Sequence, residues 1–220
     1  MALECEWRSQ QGTLTGDNRD CFGIAQRDGV TLYIVADGST SSPGGGTLAR
    51  KLVQQISTAF PLMEHSPSDE SLIALLRQQH ADLRCDHATD SASYLMAVHV
   101  TESQLLVLHA GDCRLGRVNR DQSINWLTPA HTLANAVQSL TEDELASHPD
   151  RHYLTRSFRG RHFQAPAIGR FSLYAQDHLI IATDGYWADL PPDMQNAFEA
   201  GGPLPEDYSG DDVSILVLKK

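Results

Sequence analysis

Apolar positions along this chain keep two rhythms: the alternation of strands near both ends and in the middle, and a helical period in between. The run DCFGIAQRDG and the following VTLYIVADG read as a hairpin turned at Asp28-Gly29, a dipeptide suited to tight hairpin turns. A Gly/Ser/Pro-rich loop, STSSPGGG, comes next. In TLARKLVQQISTAF, Leu48, Leu52, Ile56 and Phe60 recur at helical spacing and predict an amphipathic helix. Ser68-Asp69-Glu70 then caps a second helix through SLIALLRQQHADLRCDH, with Leu72, Leu75, Leu76 and Leu83 on one face. Strands return in SYLMAVHV, SQLLVLHAGDCRLGRV and SINWLT. LTEDELASHPD predicts a short helix capped by Thr141 and ended by Pro149. QDHLIIATDG and DVSILVLKK are the last strands.

Hairpins, then two consecutive helices, then more hairpins imply an α+β chain with largely antiparallel sheets and helices packed outside. No repeat and no long linker divides it, so a single domain over 1–220 is expected. At 220 residues, 41% of them hydrophobic and 20% charged, the chain suits an ordinary globular core. No apolar run approaches the roughly 20 residues that span a bilayer, and MALECEWRSQ has neither signal-peptide nor transit-peptide character. A cytoplasmic protein is expected. Cys5, Cys21, Cys85 and Cys113 are scattered without a CxxC, which argues against a zinc site or disulfide framework and for buried thiols in a reducing compartment. A net charge of −11 argues against nucleic-acid or anionic-membrane partners.

Charge patterning changes the picture at two places. LYIVADGST and LIIATDGYW are apolar runs that stop abruptly in Asp-Gly. A carboxylate at the tip of a buried strand is costly unless something positive sits there. Asp37, Asp112, Asp184 and the pair Asp211-Asp212 all lie at strand ends or beside glycine, and Asp17 and Asp20 precede the first strand. Any one Asp-Gly is more often a turn than a ligand. Together, as oxygen-only donors without neighbouring Cys or His, they point to a hard cation such as Mg²⁺ or Mn²⁺. Gly38 and Gly185 allow sharp turns and close approach of a carbonyl. The glycine-rich run ahead of the first helix could face an anion, although it lacks the GKS/T ending of a nucleotide-binding P-loop.

The ordered set GDNRDCFGI, LYIVADGS…GGG, LHAGDCRLGRV, LTPAHT, HPDRHYLTRSFRG, LIIATDGYW and SGDDVSILVL resembles the type 2C (PPM-class) metal-dependent protein phosphatases, in their compact bacterial form. The resemblance runs from Gly12 to Leu218 in the family's order. It implies a four-layer αββα sandwich, two antiparallel sheets flanked by helical pairs. It also implies hydrolysis of phosphoserine and phosphothreonine in proteins by a bridging water activated between two Mn²⁺ or Mg²⁺ ions. Asp37 matches the aspartate that bridges the two ions, Gly38 the glycine whose carbonyl binds one of them, and Asp184 and Asp211 the other metal-binding aspartates. Asp20 matches a supporting acid, and Asp112 an aspartate near a third, weaker metal. Phosphoprotein substrates and a cognate Ser/Thr kinase are the implied partners.

The chain also departs from the family pattern. Thr15 stands where relatives often carry a phosphate-binding arginine, and Arg19 occupies the middle of the N-x-D motif. A guanidinium cannot ligate a cation but binds phosphate well, so Arg19 is the expected contact for the substrate phosphate, the alternatives being solvent or a pair with Asp17. Ser39 rules out a His general acid after Asp37-Gly38. Cys113 replaces the GDSR serine, Ala130 the aspartate before His131, and Ala188 a third-metal aspartate, with Asp189 directly after it. Asp212 is expected to point outward and cap the turn while Asp211 binds metal. Arg114 and Arg156 are expected to pair with acids, His131 and His148 to be loop residues, and Tyr186 and Trp187 to pack in the core. Two rival readings remain: a pseudophosphatase binding module with weakened metal sites, and a hydrolase of small phosphoesters.

Overall fold

In the computed structural model, which describes residues 3–220, the chain enters through a strand that the alternation did not mark, β1 (Glu4–Gln10). This is a mostly exposed edge strand, so it carries few apolar residues to signal it. The hairpin forms as expected from β2 (Asp20–Arg27) and β3 (Val30–Gly38). Asp28 and Gly29 take φ of 48° and 81° at its turn. Helix α1 (Gly45–Ala59) begins two residues before the expected segment, which opens at Thr47, and Phe60 falls in a following 3₁₀ turn. Helix α2 (Asp69–Leu83) is capped by Ser68, whose hydroxyl accepts the Ser71 N–H in a reciprocal box.

The long run SQLLVLHAGDCRLGRV is not one strand. After β4 (Ser91–Thr101), it divides into β5 (Gln104–Ala110) and β6 (Arg114–Val118), which lie in different sheets. Gly111, at φ 108°, makes the crossing, and a Cβ there would stand 2.1 Å from the Ser93 hydroxyl. Strand β7 (Ile124–Trp126), helix α3 (Leu133–Val137) and helix α4 (Glu142–Ser147) follow. Thr141 caps α4 as expected, with Glu144 closing the box. Pro149 stops α4 and opens a 3₁₀ turn, Pro149–His152. The remaining elements are β8 (Phe158–Arg159), β9 (Ala167–Ser172), β10 (His178–Ala182), α5 (Asp184–Trp187), α6 (Pro192–Glu199) and β11 (Val213–Lys219).

Two antiparallel sheets result, one ordered β1-β11-β10-β6-β7 and the other β2-β3-β4-β5-β9, with β8 pairing the start of β4. Three apolar layers hold them. Leu48, Leu52, Ile56, Leu72 and Leu76 of α1 and α2 pack on Leu32, Ile34 and Ala36 of β3. Tyr33, Val35, Leu95 and Ala97 face Leu179, Ile181 and Leu216 between the sheets. Tyr186, Trp187, Leu190 and Phe198 cover the outer face of the other sheet. Strand β3 is buried on both faces, which is why its sequence reads as nearly continuous apolar residues. The layering is the expected αββα sandwich, α+β in class. Among the described residues no helix is long and apolar enough to cross a membrane.

Candidate active site

Strand alternation brings carboxylates to the space between the sheets. On β3, Tyr33 and Val35 face the inter-sheet core, so Asp37, next in that series, faces the same way at its open end. The ladder sets Asp37 opposite Asp20 on β2 and opposite Ser93 on β4. Cross-strand partners share a face, so the three side chains stand together. The other sheet contributes from its own strand ends. Asp184 is the first residue of α5, just past β10, and Asp211 lies just ahead of β11. Asp112 sits at the crossing from β5 to β6. Asp37, Asp112, Asp184, Asp189 and Asp211 line one cleft of about 480 Å³.

Hydrogen bonds fix some of these acids and leave others open. Thr183 Oγ1 donates to Asp20 Oδ2 at 2.9 Å, while the buried Oδ1 of Asp20 has no partner among the described residues. The Ser93 hydroxyl donates to Asp112 Oδ1, and Trp187 Nε1 donates to the Asp112 carbonyl at 2.8 Å. Thr40 Oγ1 donates to Asp211 Oδ2 at 3.1 Å. Arg151, on the 3₁₀ turn, reaches Asp184 Oδ2 at 3.3 Å with Nη1 and pairs with Asp189 through Nη2. Burial, followed by repulsion from neighbouring carboxylates, pushes Asp37 and Asp184 well above the usual carboxylate range. Burial also raises Asp20 strongly, and it raises Asp112 against the opposing Ser93 hydrogen bond.

So much repelling charge around an orphaned buried oxygen fits a cation. Among the described residues, no three Asp, Glu, His or Cys side chains converge tightly enough to hold an ion by themselves. Oxygen-only donors of this kind are those of Mg²⁺ or Mn²⁺ sites, where one or two carboxylates bind the ion and several waters remain. Gly38 lets α1 pack against the strand end, since a Cβ there would fall 2.3 Å from the Gly45 backbone.

Several residues sit elsewhere than the sequence suggested. Arg19 does not line the cleft. Its Nη1 donates to the carbonyls of Ser39 and Ser42, each at 2.8 Å, and its Nε lies 3.5 Å from Asp17. It braces the loop after Asp37 rather than reaching for a phosphate, because two converging carbonyls hold the guanidinium there. Asp212 points inward, not outward: it is 4% exposed and accepts the N–H groups of Gly12 and Arg19 at 2.8 and 2.7 Å. It ties the N-terminal loop to β11, and Asp211 alone of the pair lines the cleft. The glycine-rich start of α1 faces an anion of the chain's own, for the Asp90 carboxylate accepts the Gly44 N–H at 3.0 Å.

Arg114 does pair with an acid, forking onto Glu142 at 2.5 and 3.0 Å between Trp126 and Trp187. Arg156 has no carboxylate partner among the described residues and stands near His109 and His131 instead. His131 stacks on His109 at 4.5 Å, and His148 accepts the Asp150 N–H in its loop. Tyr186 and Trp187 are core residues. Sequence reasoning missed Ser93, Thr183 and Arg151. Ser93 and Thr183 become visible only through strand register and sheet packing. Arg151 lay within the quoted HPDRHYLTRSFRG without a carboxylate assigned to it.

Comparison with known proteins agrees with this geometry. The family model described as Protein phosphatase 2C matches residues 11–207, so Asp211 owes its place in the site to the structure. A putative protein phosphatase 2C-type of Streptococcus pyogenes serotype M6 is 27% identical over 194 residues, 83% of this chain and 78% of the relative. Protein phosphatase PhpP of Streptococcus pneumoniae serotype 2 is 25% identical over the same shares. Among solved structures, serine/threonine phosphatase Stp1 from Staphylococcus aureus superposes with a TM-score of 0.82 at 18% identity, over 100% of this chain and 96% of that one. The PPM Ser-Thr phosphatase MsPP from Mycobacterium smegmatis, in complex with cacodylate, gives 0.75 at 24% identity, over 99% and 98%. The structural likenesses carry the fold, and the family match carries the kinship: this chain belongs to the protein phosphatase 2C family.

Proposed function

We propose that the chain hydrolyses phosphoserine and phosphothreonine in proteins, with Mn²⁺ or Mg²⁺ held by Asp37, the Gly38 carbonyl, Asp184 and Asp211. Asp20 supports Asp37 from the neighbouring strand, and Asp112 is the acid for a third ion. The observation that carries this reading is the convergence of strand-end aspartates from both sheets on one cleft, with the buried Asp20 Oδ1 left without a partner. When bound, such ions supply Lewis acidity toward phosphoryl oxygens and a reactive water at neutral pH.

The protein's own groups prepare that chemistry. Thr40 and the Asp212 N–H orient Asp211, Thr183 orients Asp20, and Ser93 orients Asp112. A covalent thiol route is disfavoured: burial pushes the Cys113 thiol well up and Cys21 up to about 12, so neither offers a thiolate. Leu14 and Tyr153, 59% and 65% exposed, lie on the walls of the cleft. Exposed apolar surface there favours a polypeptide over a small phosphoester. The substrate then comes from a Ser/Thr kinase. We place the reaction in the cytoplasm and assign it to the whole chain, 1–220, as one domain.

Phosphopeptides, p-nitrophenyl phosphate and small phosphoesters, each assayed with and without Mn²⁺, test the reading. Metal-dependent turnover that is highest on phosphopeptides is the expected result. The Arg151 contacts to Asp184 and Asp189 favour the rival binding module, in which a guanidinium stands in for metal. Absence of both turnover and Mn²⁺ binding would select that module.

A further inference from the structure

The cleft walls carry five carboxylates, yet among the described residues lining it only one side chain is a guanidinium or ammonium: Arg159. Strand register shows how it gets there. Asp37 stands opposite Ser93 on β4, and Arg159 of β8 stands opposite Ser91. Ser91 and Ser93 are two residues apart on one strand, so they share a face, roughly 7 Å apart. Arg159 therefore projects from the same face as Asp37, two strands across and one two-residue step outward. Both residues line the cleft.

Its guanidinium is held in a defined orientation. Nε donates to the Ser157 hydroxyl at 2.9 Å and Nη2 to the Leu154 carbonyl at 2.8 Å. Nη1 has no partner among the described residues, and the residue is exposed. A fork anchored on one side and open on the other is preorganised for an oxyanion. Among the described residues no carboxylate makes an ion pair with it, so it is not an internal counter-charge.

We propose that Arg159 binds the phosphoryl group of the substrate, opposite the acidic wall. The proposal rests on the phosphatase reading above and assigns to β8 the cation that Arg19 does not supply. The test uses the full chain in saturating Mn²⁺, with Arg159→Gln and Arg159→Lys. Steady-state kinetics are read on a phosphothreonine peptide and on p-nitrophenyl phosphate. Inorganic phosphate serves as inhibitor and as calorimetric ligand.

Arg159→Gln should raise KM for both substrates and Ki for phosphate about tenfold, with kcat within about twofold. Arg159→Lys should recover part of the loss, and Mn²⁺ affinity should not change. Unchanged KM and Ki would overturn the assignment. So would an effect confined to the peptide, which would mean that Arg159 meets an acidic flanking residue instead. Lost Mn²⁺ affinity in both variants would make Arg159 structural and also overturn it. Should the wild type show no turnover, the functional reading fails on its own. Phosphate binding weakened about tenfold by Arg159→Gln would still support this site, and equal or absent phosphate binding would overturn it.

Discussion

The space between the two sheets has two parts built by one alternation and held by opposite physics. Along β3, Tyr33 and Val35 meet Leu95, Ile181 and Leu216 and bury completely or nearly so. Two residues later the same face presents Asp37, beside Asp20 and Ser93, and the layer ends in carboxylates. Apolar burial stabilises the first part without help. The second part is destabilised by desolvation and mutual repulsion, which raise Asp37 and Asp184 well above the usual range. A fold that keeps such an end has given up local stability for a cation site, as functional sites commonly do.

The sharpest way to break this comparison is to neutralise its acidic end. Asp37→Asn should lower metal-dependent turnover by more than about a thousandfold, because ligand charge and geometry are lost together. The metal-free variant should nevertheless melt higher than the metal-free wild type, since one repelling charge is gone. Steady-state kinetics in Mn²⁺ and thermal melts in EDTA read the two effects separately.

The apolar end should respond in the opposite sense. Leu216→Ala, at a fully buried position, should lose about 2–5 kcal/mol of stability. The fraction that stays folded should retain its turnover. Urea unfolding followed by activity per folded molecule checks this.

Asp211 and Asp212 place the same contrast on adjacent residues. Asp211→Asn should weaken Mn²⁺ binding about tenfold or more, which calorimetry would show. Asp212→Asn leaves the Gly12 and Arg19 N–H groups with a poorer acceptor and should cost about 1–3 kcal/mol of stability. Its Mn²⁺ affinity should be nearly unchanged.

The smallest effect is one of pH. Burial lowers His109 to about 3 and His131 to about 4, and mutual repulsion with Arg156 adds to this. Both rings are therefore neutral when folded and titrate near 6.5 when unfolded. Between those values the unfolded chain binds more protons, so their contribution to stability is complete above about 6.5 and is lost as pH falls toward 4. A double variant, His109→Gln with His131→Gln, should flatten the fall in melting temperature over that window.

Much of this was legible in the chain. Asp37 and Asp184 announce themselves because apolar strands end on them, and α1, α2 and the first hairpin follow from periodicity alone. Strands β1 and β9 did not show, since edge strands exposed on one or both faces carry little apolar signal. The orientation of Asp212 was misread because adjacent residues diverge according to backbone contacts that only the folded chain supplies. For Arg19 the phosphate contact and the pair with Asp17 were equally open, because a guanidinium suits phosphate, carboxylate and backbone carbonyls alike, and Asp17 and the loop after Asp37 claim it. Ser93, Arg151 and Arg159 depend on register between distant segments, which local pattern does not encode.

The most direct test of the central claim is calorimetric titration of Mn²⁺ into metal-stripped wild type and Asp37→Asn. The account predicts saturable binding of about two ions per chain by the wild type, lost or strongly weakened in the variant, with both proteins folded by circular dichroism. Equal Mn²⁺ binding by the two proteins, or none by the wild type, would contradict it.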